Sequence, residues 1–198
     1  VNPTQFNNRG DFLYYPKTLK DDIALLREKK IDFCLIPDEQ SIYPNGHLFH
    51  IQESDISTVL EGLHRPGHFC GVLTVVMKWL NIIKPHRAYF GEKDYQQYRL
   101  IKNMVDDFFM EVDIKSCPTV REASGLAYSS RNNRLTPEQK KIAEQFATIF
   151  LKKTSLCDTL VALNQLNIAV EYVKDYDNRR FAAVKIGDVR LIDNIALP

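Results

Sequence analysis

Leu19, Ile23 and Leu26 recur at helical spacing behind Thr18, with Asp21 and Asp22 in the first turn, where carboxylates suit the positive end of the helix dipole. The spacing predicts an amphipathic helix ending near Lys30. Residues 31–36 (IDFCLI) form a short apolar run closed by Pro37, the pattern of a buried strand in a parallel sheet. Residues 72–83 are apolar on nearly every face, which predicts a buried helix that Pro85 prevents from continuing.

Residues 87–90 read as a strand, 91–94 (GEKD) as a tight turn, and 95–108 as a helix with Tyr98, Ile101, Val105 and Phe108 along one side. Strand, turn and helix in that order make the phosphate-binding half of a βαβ unit. Val112 and Ile114 alternate with polar neighbours in a further strand, ended by Cys117-Pro118, so the pattern is alternating α/β.

Beyond Val120 the texture changes. Residues 121–133 are polar, contain a glycine and show no period, as expected of a hinge between domains. Thr136-Pro137-Glu138-Gln139 then supplies an N-cap, a proline at the first helical position and the glutamine of a capping box, opening a helix with Ile142, Phe146 and Ile149. Leu156, Leu160, Leu163 and Leu166 predict a second helix. Gly187-Asp188 between two apolar runs predicts a hairpin, which with residues 170–173 gives a small α+β unit of antiparallel strands.

Composition narrows the class without naming a chemistry. Of 198 residues, 44% are hydrophobic and 26% charged, as in ordinary globular chains. A formal charge of +1 gives no global attraction to nucleic acid or an anionic membrane, so any anion site must be local. No apolar stretch is long enough to span a bilayer of ~30 Å. Cys34, Cys70, Cys117 and Cys157 are scattered without metal-ligand spacing, which suits reduced thiols in a cytoplasmic protein. The chain opens on Val1 with no charged-then-apolar leader, and reads as entering a longer sequence partway.

Four segments carry candidate chemistry, each with a plainer alternative. Gly91-Glu92-Lys93-Asp94 combines a glycine that admits a close phosphate with a lysine beside a helix N-terminus, or is a solvated turn. Ser129-Ser130-Arg131-Asn132 gathers hydroxyls and a guanidinium suited to phosphate oxygens, or is a polar interdomain loop. Asn2-Pro3-Thr4-Gln5-Phe6 offers amides to a small polar substrate, or is a surface turn. His64-Arg65-Pro66-Gly67-His68 reads better as a pocket-lining helix entry than as a zinc site, because Pro66 and Gly67 interrupt the helix that would align both imidazoles.

Together and in order, VNPTQF, YPKTLKDDIALL, RPGHFCGVLTVV, RAYFGEKDYQQ and CPTVREASGLAYSSRN resemble the pantothenate synthetase (pantoate–β-alanine ligase) family of the nucleotidylyltransferase superfamily, and VRLIDN near the end is also similar. The resemblance implies a Rossmann-like parallel-sheet domain for nucleotide and pantoate over residues 1–119, incomplete at its amino-terminal side, and a small α+β lid domain over 120–198. It implies ATP-dependent, AMP-forming ligation of pantoate to β-alanine through pantoyl adenylate. Gln5 and Gln97 would hold pantoate, Gln5 also lying near β-alanine. Gly91 and Asp94 would meet the ribose, Lys93 the phosphates and the Val120 backbone the adenine, with Glu92 in the same nucleotide-binding loop. Tyr128, Ser129, Ser130 and Arg131 match the segment that closes over the triphosphate; Tyr128 replaces an aliphatic residue common there.

Lys93, Ser129, Ser130 and Arg131 are the expected catalytic set, with Mg²⁺ travelling on ATP and no protein metal site. A cytoplasmic homodimer, joined through the nucleotide-binding domain, is implied as well. The family's histidine loop, which carries the proton donor, would precede VNPTQF, so residues 1–198 alone are expected neither to fold normally nor to form the adenylate. The alternatives are another nucleotidylyltransferase, or a catalytically inactive nucleotide-binding or dimerisation module. Arg121, Arg131 and Arg134 without a recognised motif make a nucleic-acid role the weakest.

Overall fold

The computed structural model describes residues 2–6, 12, 13, 15 and 18–198; Val1 of VNPTQF, and Pro16 and Lys17 of YPKTLK, lie outside them. After a 3-10 turn at Pro3–Gln5 come helix α1 (Leu19–Glu28) and two single helical turns, α2 (Glu39–Ile42) and α3 (Glu61–His64). Helix α4 (His68–Ile83), strand β1 (Arg87–Gly91), helix α5 (Tyr95–Asp107) and strand β2 (Asp113–Cys117) follow; α4 is buried through Val75 and at Leu80, but its last turn, expected to be buried, exposes Ile82 and Ile83. The remainder consists of helices α6 (Pro137–Leu151) and α7 (Leu156–Asn164) and strands β3 (Ala169–Tyr176), β4 (Arg179–Ile186) and β5 (Val189–Ala196).

β1 and β2 pair in parallel, in register from Arg87 opposite Asp113 to Gly91 opposite Cys117, with α5 as the crossover. β3, β4 and β5 form an antiparallel sheet in chain order. The fold class is therefore α/β followed by α+β, as the hydrophobic pattern predicts. Two large apolar clusters, with a small third around Ile42, Tyr43 and Val75, hold it together. Phe69, Leu73, Leu100, Ile101 and Ile114 close α4 and α5 on the parallel strands. Phe146, Phe150, Leu163, Val184 and Ile186 close α6 and α7 on the antiparallel sheet.

The capping box forms as expected: Thr136 accepts from the Gln139 amide and the Gln139 side chain accepts from the Thr136 amide. Gly187 takes φ +57° in the β4–β5 turn. The β3–β4 turn has no glycine and uses Asp177 and Asn178 at φ 51° and 55°, a type I′ requirement that these short polar side chains tolerate.

Two further sequence expectations are corrected. Residues 31–36 form no strand; Phe33 is 92% exposed and Leu35 and Ile36 are also exposed. An apolar run becomes a buried strand only where an edge pairs with it and a layer covers it, and none of the described strands does so. Phe108 caps the end of α5 and is exposed, while Ile101 and Val105 of the predicted side are buried together with Gln96, Leu100 and Met104, and Tyr98 packs against them. The 121–133 stretch is also more ordered than a bare hinge. Arg121 bridges Ala127, Gly125 turns at φ +89°, and Leu126 and Ala127 are buried.

Candidate functional site

β1 ends at Gly91, and residues Glu92–Asp94 make a 3-10 turn directly into the N-terminus of α5, the positive end of a thirteen-residue helix dipole. Gly91 has an ordinary φ of −71°. A Cβ placed there would meet nothing within 4 Å, so neither backbone conformation nor packing within the described chain calls for glycine at this position.

A cavity of about 500 Å³ opens beside this loop, between it, α3, the 126–134 segment and the antiparallel sheet. Of the residues expected from sequence, Lys93, Asp94, Ser129 and Arg131 line it together. Gln97 lies in a smaller pocket that shares Lys93 and Asp94 with the cavity. The others lie outside the lining. Gln5 ends the Pro3–Gln5 turn, and Glu92 turns its carboxylate to Arg179 at 3.4 Å. Val120 and Tyr128 expose their side chains while the Val120 carbonyl accepts from the Tyr128 amide; Ser130 is exposed at the head of the 130–134 turn.

The Ser129 hydroxyl accepts from the Arg131 amide at 3.2 Å, which shapes the start of that turn. Asn132 is buried, donates to Glu122 Oε1 and the Ala127 carbonyl, and lines the cavity with its Oδ1 unpaired among the described residues. Arg121 anchors the base of the segment: its guanidinium meets both carboxylate oxygens of the buried Asp193, at 2.6 and 2.8 Å.

Much of the opposite wall comes from residues that sequence reasoning missed, joined by His64 and Arg65 of the helix entry that it reads as pocket-lining. Glu171, Lys185, Asp188, Arg190 and Asp193 of the antiparallel sheet line the cavity, as do Glu61, His64 and Arg65. Arg190 forks onto Glu61 at 2.8 and 2.7 Å and reaches Glu171 at 2.8 Å. The Tyr172 hydroxyl donates to Glu61 Oε1 at 2.7 Å, and Arg65 stands 3.7 Å from Glu61 Oε2. Burial by itself would raise the Glu61 carboxyl, but Arg190, Tyr172 and Arg65 outweigh it and hold the group below its ordinary value. Burial, reinforced by the neighbouring Glu61 carboxylate, pushes the Tyr172 phenol far up, so it stays a donor.

His68, at the start of α4, lines the smaller pocket with Gln97 and meets the Gln5 carbonyl, with Nδ1 at 2.7 Å, while Arg65 Nη1 sits 3.0 Å from its Nε2. Burial first, then the Arg65 charge, bring this imidazole down to about 4, although the Gln5 carbonyl, Glu61 and Asp94 pull the other way. Gly71, one turn into α4, lets the Pro3–Gln5 turn approach: a Cβ there would lie 2.5 Å from the Thr4 carbonyl oxygen. Gln5 is thus positioned by contacts from RPGHFCG, a link between two sequence motifs that neither shows alone. Among the described residues no three His, Cys, Asp or Glu side chains converge as a metal site.

Three comparisons with known proteins bear on the family. The family profile described as pantoate-beta-alanine ligase matches residues 1–196. A pantothenate synthetase of Legionella pneumophila (strain Corby) is 56% identical over 197 residues, all of this chain and 78% of that protein. One from Coxiella burnetii (strain Dugway 5J108-111) is 50% identical, over 98% of this chain and 76% of the relative. The crystal structure of pantoate-beta-alanine ligase from Francisella tularensis, complexed with beta-gamma ATP and beta-alanine, superposes with a TM-score of 0.93 at 45% identity, covering 99% of this chain and 76% of that one. A pantothenate synthetase structure from Thermus thermophilus superposes with a TM-score of 0.94 at 35% identity, covering 100% of this chain and 81% of that one. Matched by the family profile over nearly its whole length and by relatives sharing half or more of its residues, the chain belongs to the pantoate-beta-alanine ligase family.

Proposed function

We propose that this chain serves the reaction of its family, the ATP-dependent joining of pantoate to β-alanine. A pantoate carboxylate oxygen attacks the α-phosphorus of ATP and pyrophosphate leaves. The β-alanine amine then attacks the acyl carbon of pantoyl adenylate, loses a proton and expels AMP. The observation that carries the reading is the meeting of Lys93, Asp94, Ser129 and Arg131 on one cavity beside a helix N-terminus.

Lys93 and Arg131 offset the charge that develops as pyrophosphate leaves, with the Ser129 and Ser130 hydroxyls bonding phosphate oxygens. Gly91 and Asp94 take the ribose, the Val120 backbone the adenine, and Glu92 and Tyr128 flank the nucleotide. The open space at the missing Gly91 Cβ supports a close approach by a ligand there. Gln5 and Gln97 hold pantoate, and Gln5 also β-alanine, through amides that both donate and accept. Residues 1–119 and 120–198 act as two domains, the second a lid, a division supported by the two separate apolar clusters.

Mg²⁺ accompanies ATP. Phosphate oxygens and water would supply most of its ligands, and its charge would add to that of Lys93 and Arg131. A cytoplasmic homodimer completes the proposal. The four cysteines are unpaired, as reduced thiols require, and among the described residues no helix is long and apolar enough to cross a membrane. The test is AMP release by the purified intact protein, which should require pantoate, β-alanine and ATP together. AMP formation indifferent to β-alanine would refute the reading, and sedimentation as a monomer would refute the dimer.

A further inference from the structure

The proposed reaction assigns no task to the polar residues of VRLIDN, the segment Val189–Asn194 on β5. Each of them holds a different wall of the cavity. Arg190 grips Glu61 of α3, and Asp193 grips Arg121 at the base of the 121–134 segment. Asn194 reaches the nucleotide loop itself, its Nδ2 donating to the backbone carbonyls of Glu92 and Lys93, both at 2.9 Å.

This side chain is 3% exposed and fully used. Its Oδ1 accepts from Arg179 Nε at 2.6 Å, and the Arg179 guanidinium lies 3.9 Å over the Tyr95 ring while reaching Glu92. An amide is the group that the arrangement demands, since two carbonyls need two donors and Arg179 needs an acceptor. A carboxylate would keep the contact with Arg179 but set an oxygen against two carbonyl oxygens. The held carbonyls belong to the 3-10 turn that carries Lys93, whose ammonium ends a long flexible stem on the cavity wall. Fixing the backbone at Lys93 sets the point and direction from which that stem enters the cavity.

We propose that Asn194 is a positioning residue for the nucleotide, holding the Glu92–Lys93 backbone from β5 so that Lys93 faces the phosphates. The antiparallel sheet then builds the phosphate site as well as covering it. This rests on the reading of Lys93 as a phosphate ligand.

Asn194→Asp, Lys93→Ala and the double variant, made in the intact enzyme, test it. Losing two hydrogen bonds of about 1 kcal/mol each predicts a roughly tenfold to thirtyfold fall in kcat/KM for ATP in N194D. KM for β-alanine should change by less than about twofold, and the double variant should be no worse than K93A, because the two residues act as one unit. A folded N194D with unchanged ATP kinetics, beside an impaired K93A, overturns the inference, as does strict additivity of the two losses. If K93A alone leaves ATP kinetics unchanged, the reading of Lys93 falls and this inference with it. Should N194D fail to fold, Asn194→Ser, neutral and able to satisfy one carbonyl, is judged by the same criteria.

Discussion

Acidification should weaken the protein through His68 before most of its carboxylates titrate. The ring is 7% exposed, with Nδ1 on the Gln5 carbonyl and Nε2 on Arg65. A carbonyl only accepts and a guanidinium only donates, so the neutral tautomer protonated at Nδ1 satisfies both, and a second proton at Nε2 would face a cation. In the folded protein burial first, and then the Arg65 charge, hold the imidazole at about 4, against an ordinary value of 6.5. The unfolded chain takes up this proton first. The contribution to stability is complete above pH 6.5 and is lost as the pH falls toward 4.

At about 1.4 kcal/mol for each pH unit separating the two values, the loss reaches roughly 3 kcal/mol across that window. Urea midpoints of the intact protein and of His68→Asn, measured between about pH 7.5 and about pH 5, isolate the effect. The asparagine amide sits where Nδ1 does and keeps the donor to Gln5 without titrating. The wild-type midpoint should fall more steeply with acid than that of the variant, and the imidazole resonance of His68 should not titrate near its ordinary value. Parallel slopes, or a resonance that titrates normally, would refute the geometry from which the tautomer is read.

Glu61→Gln removes the buried charge shared by Arg190, Tyr172 and Arg65. Breaking such a pair costs about 3–5 kcal/mol, reduced here to about 2–3 kcal/mol because glutamine keeps an acceptor and Arg190 keeps Glu171. Calorimetry should show the melting temperature lowered by roughly 4–12 °C, and an unchanged melt would count against the cluster as a link between α3 and the antiparallel sheet. Gly71→Ala drives a methyl to 2.5 Å from the Thr4 carbonyl oxygen, so the turn carrying Gln5 must shift. KM for pantoate should rise more than KM for ATP, with about 1–3 kcal/mol of stability lost to overpacking; equal changes in both constants would contradict that local effect. Thr136→Ala removes the cap of α6 for about 1 kcal/mol, a melting shift of roughly 2–4 °C, and should leave steady-state kinetics unaltered.

The elements that proved legible in the sequence are those whose signals are local. Capping at Thr136, the break at Pro85 and the turn at Gly187 each depend on a few adjacent residues and on backbone chemistry that needs no distant partner. Residues 31–36 show the limit of such signals. An apolar run records a need for cover, and whether cover exists is decided by strands elsewhere. The GEKD and SSRN segments were visible as phosphate chemistry, yet the wall facing them was not, because Glu171, Lys185 and Arg190 alternate with apolar neighbours as solvent-facing strand residues do.

One signal was nevertheless present. Once Gly187-Asp188 is taken as a two-residue turn, Ile186 pairs with Val189 and Lys185 falls directly opposite Arg190. Two like charges opposed across antiparallel strands destabilise the pair unless something negative lies between or beside them. The structure supplies Glu61 and Glu171 for Arg190 and leaves Lys185 on the cavity wall. An unfavourable cross-strand pair in a predicted hairpin thus points to an external anion or to carboxylates from elsewhere in the chain. Here the main carboxylate lies 129 residues away, a distance that explains why the pair's meaning appears only with the fold.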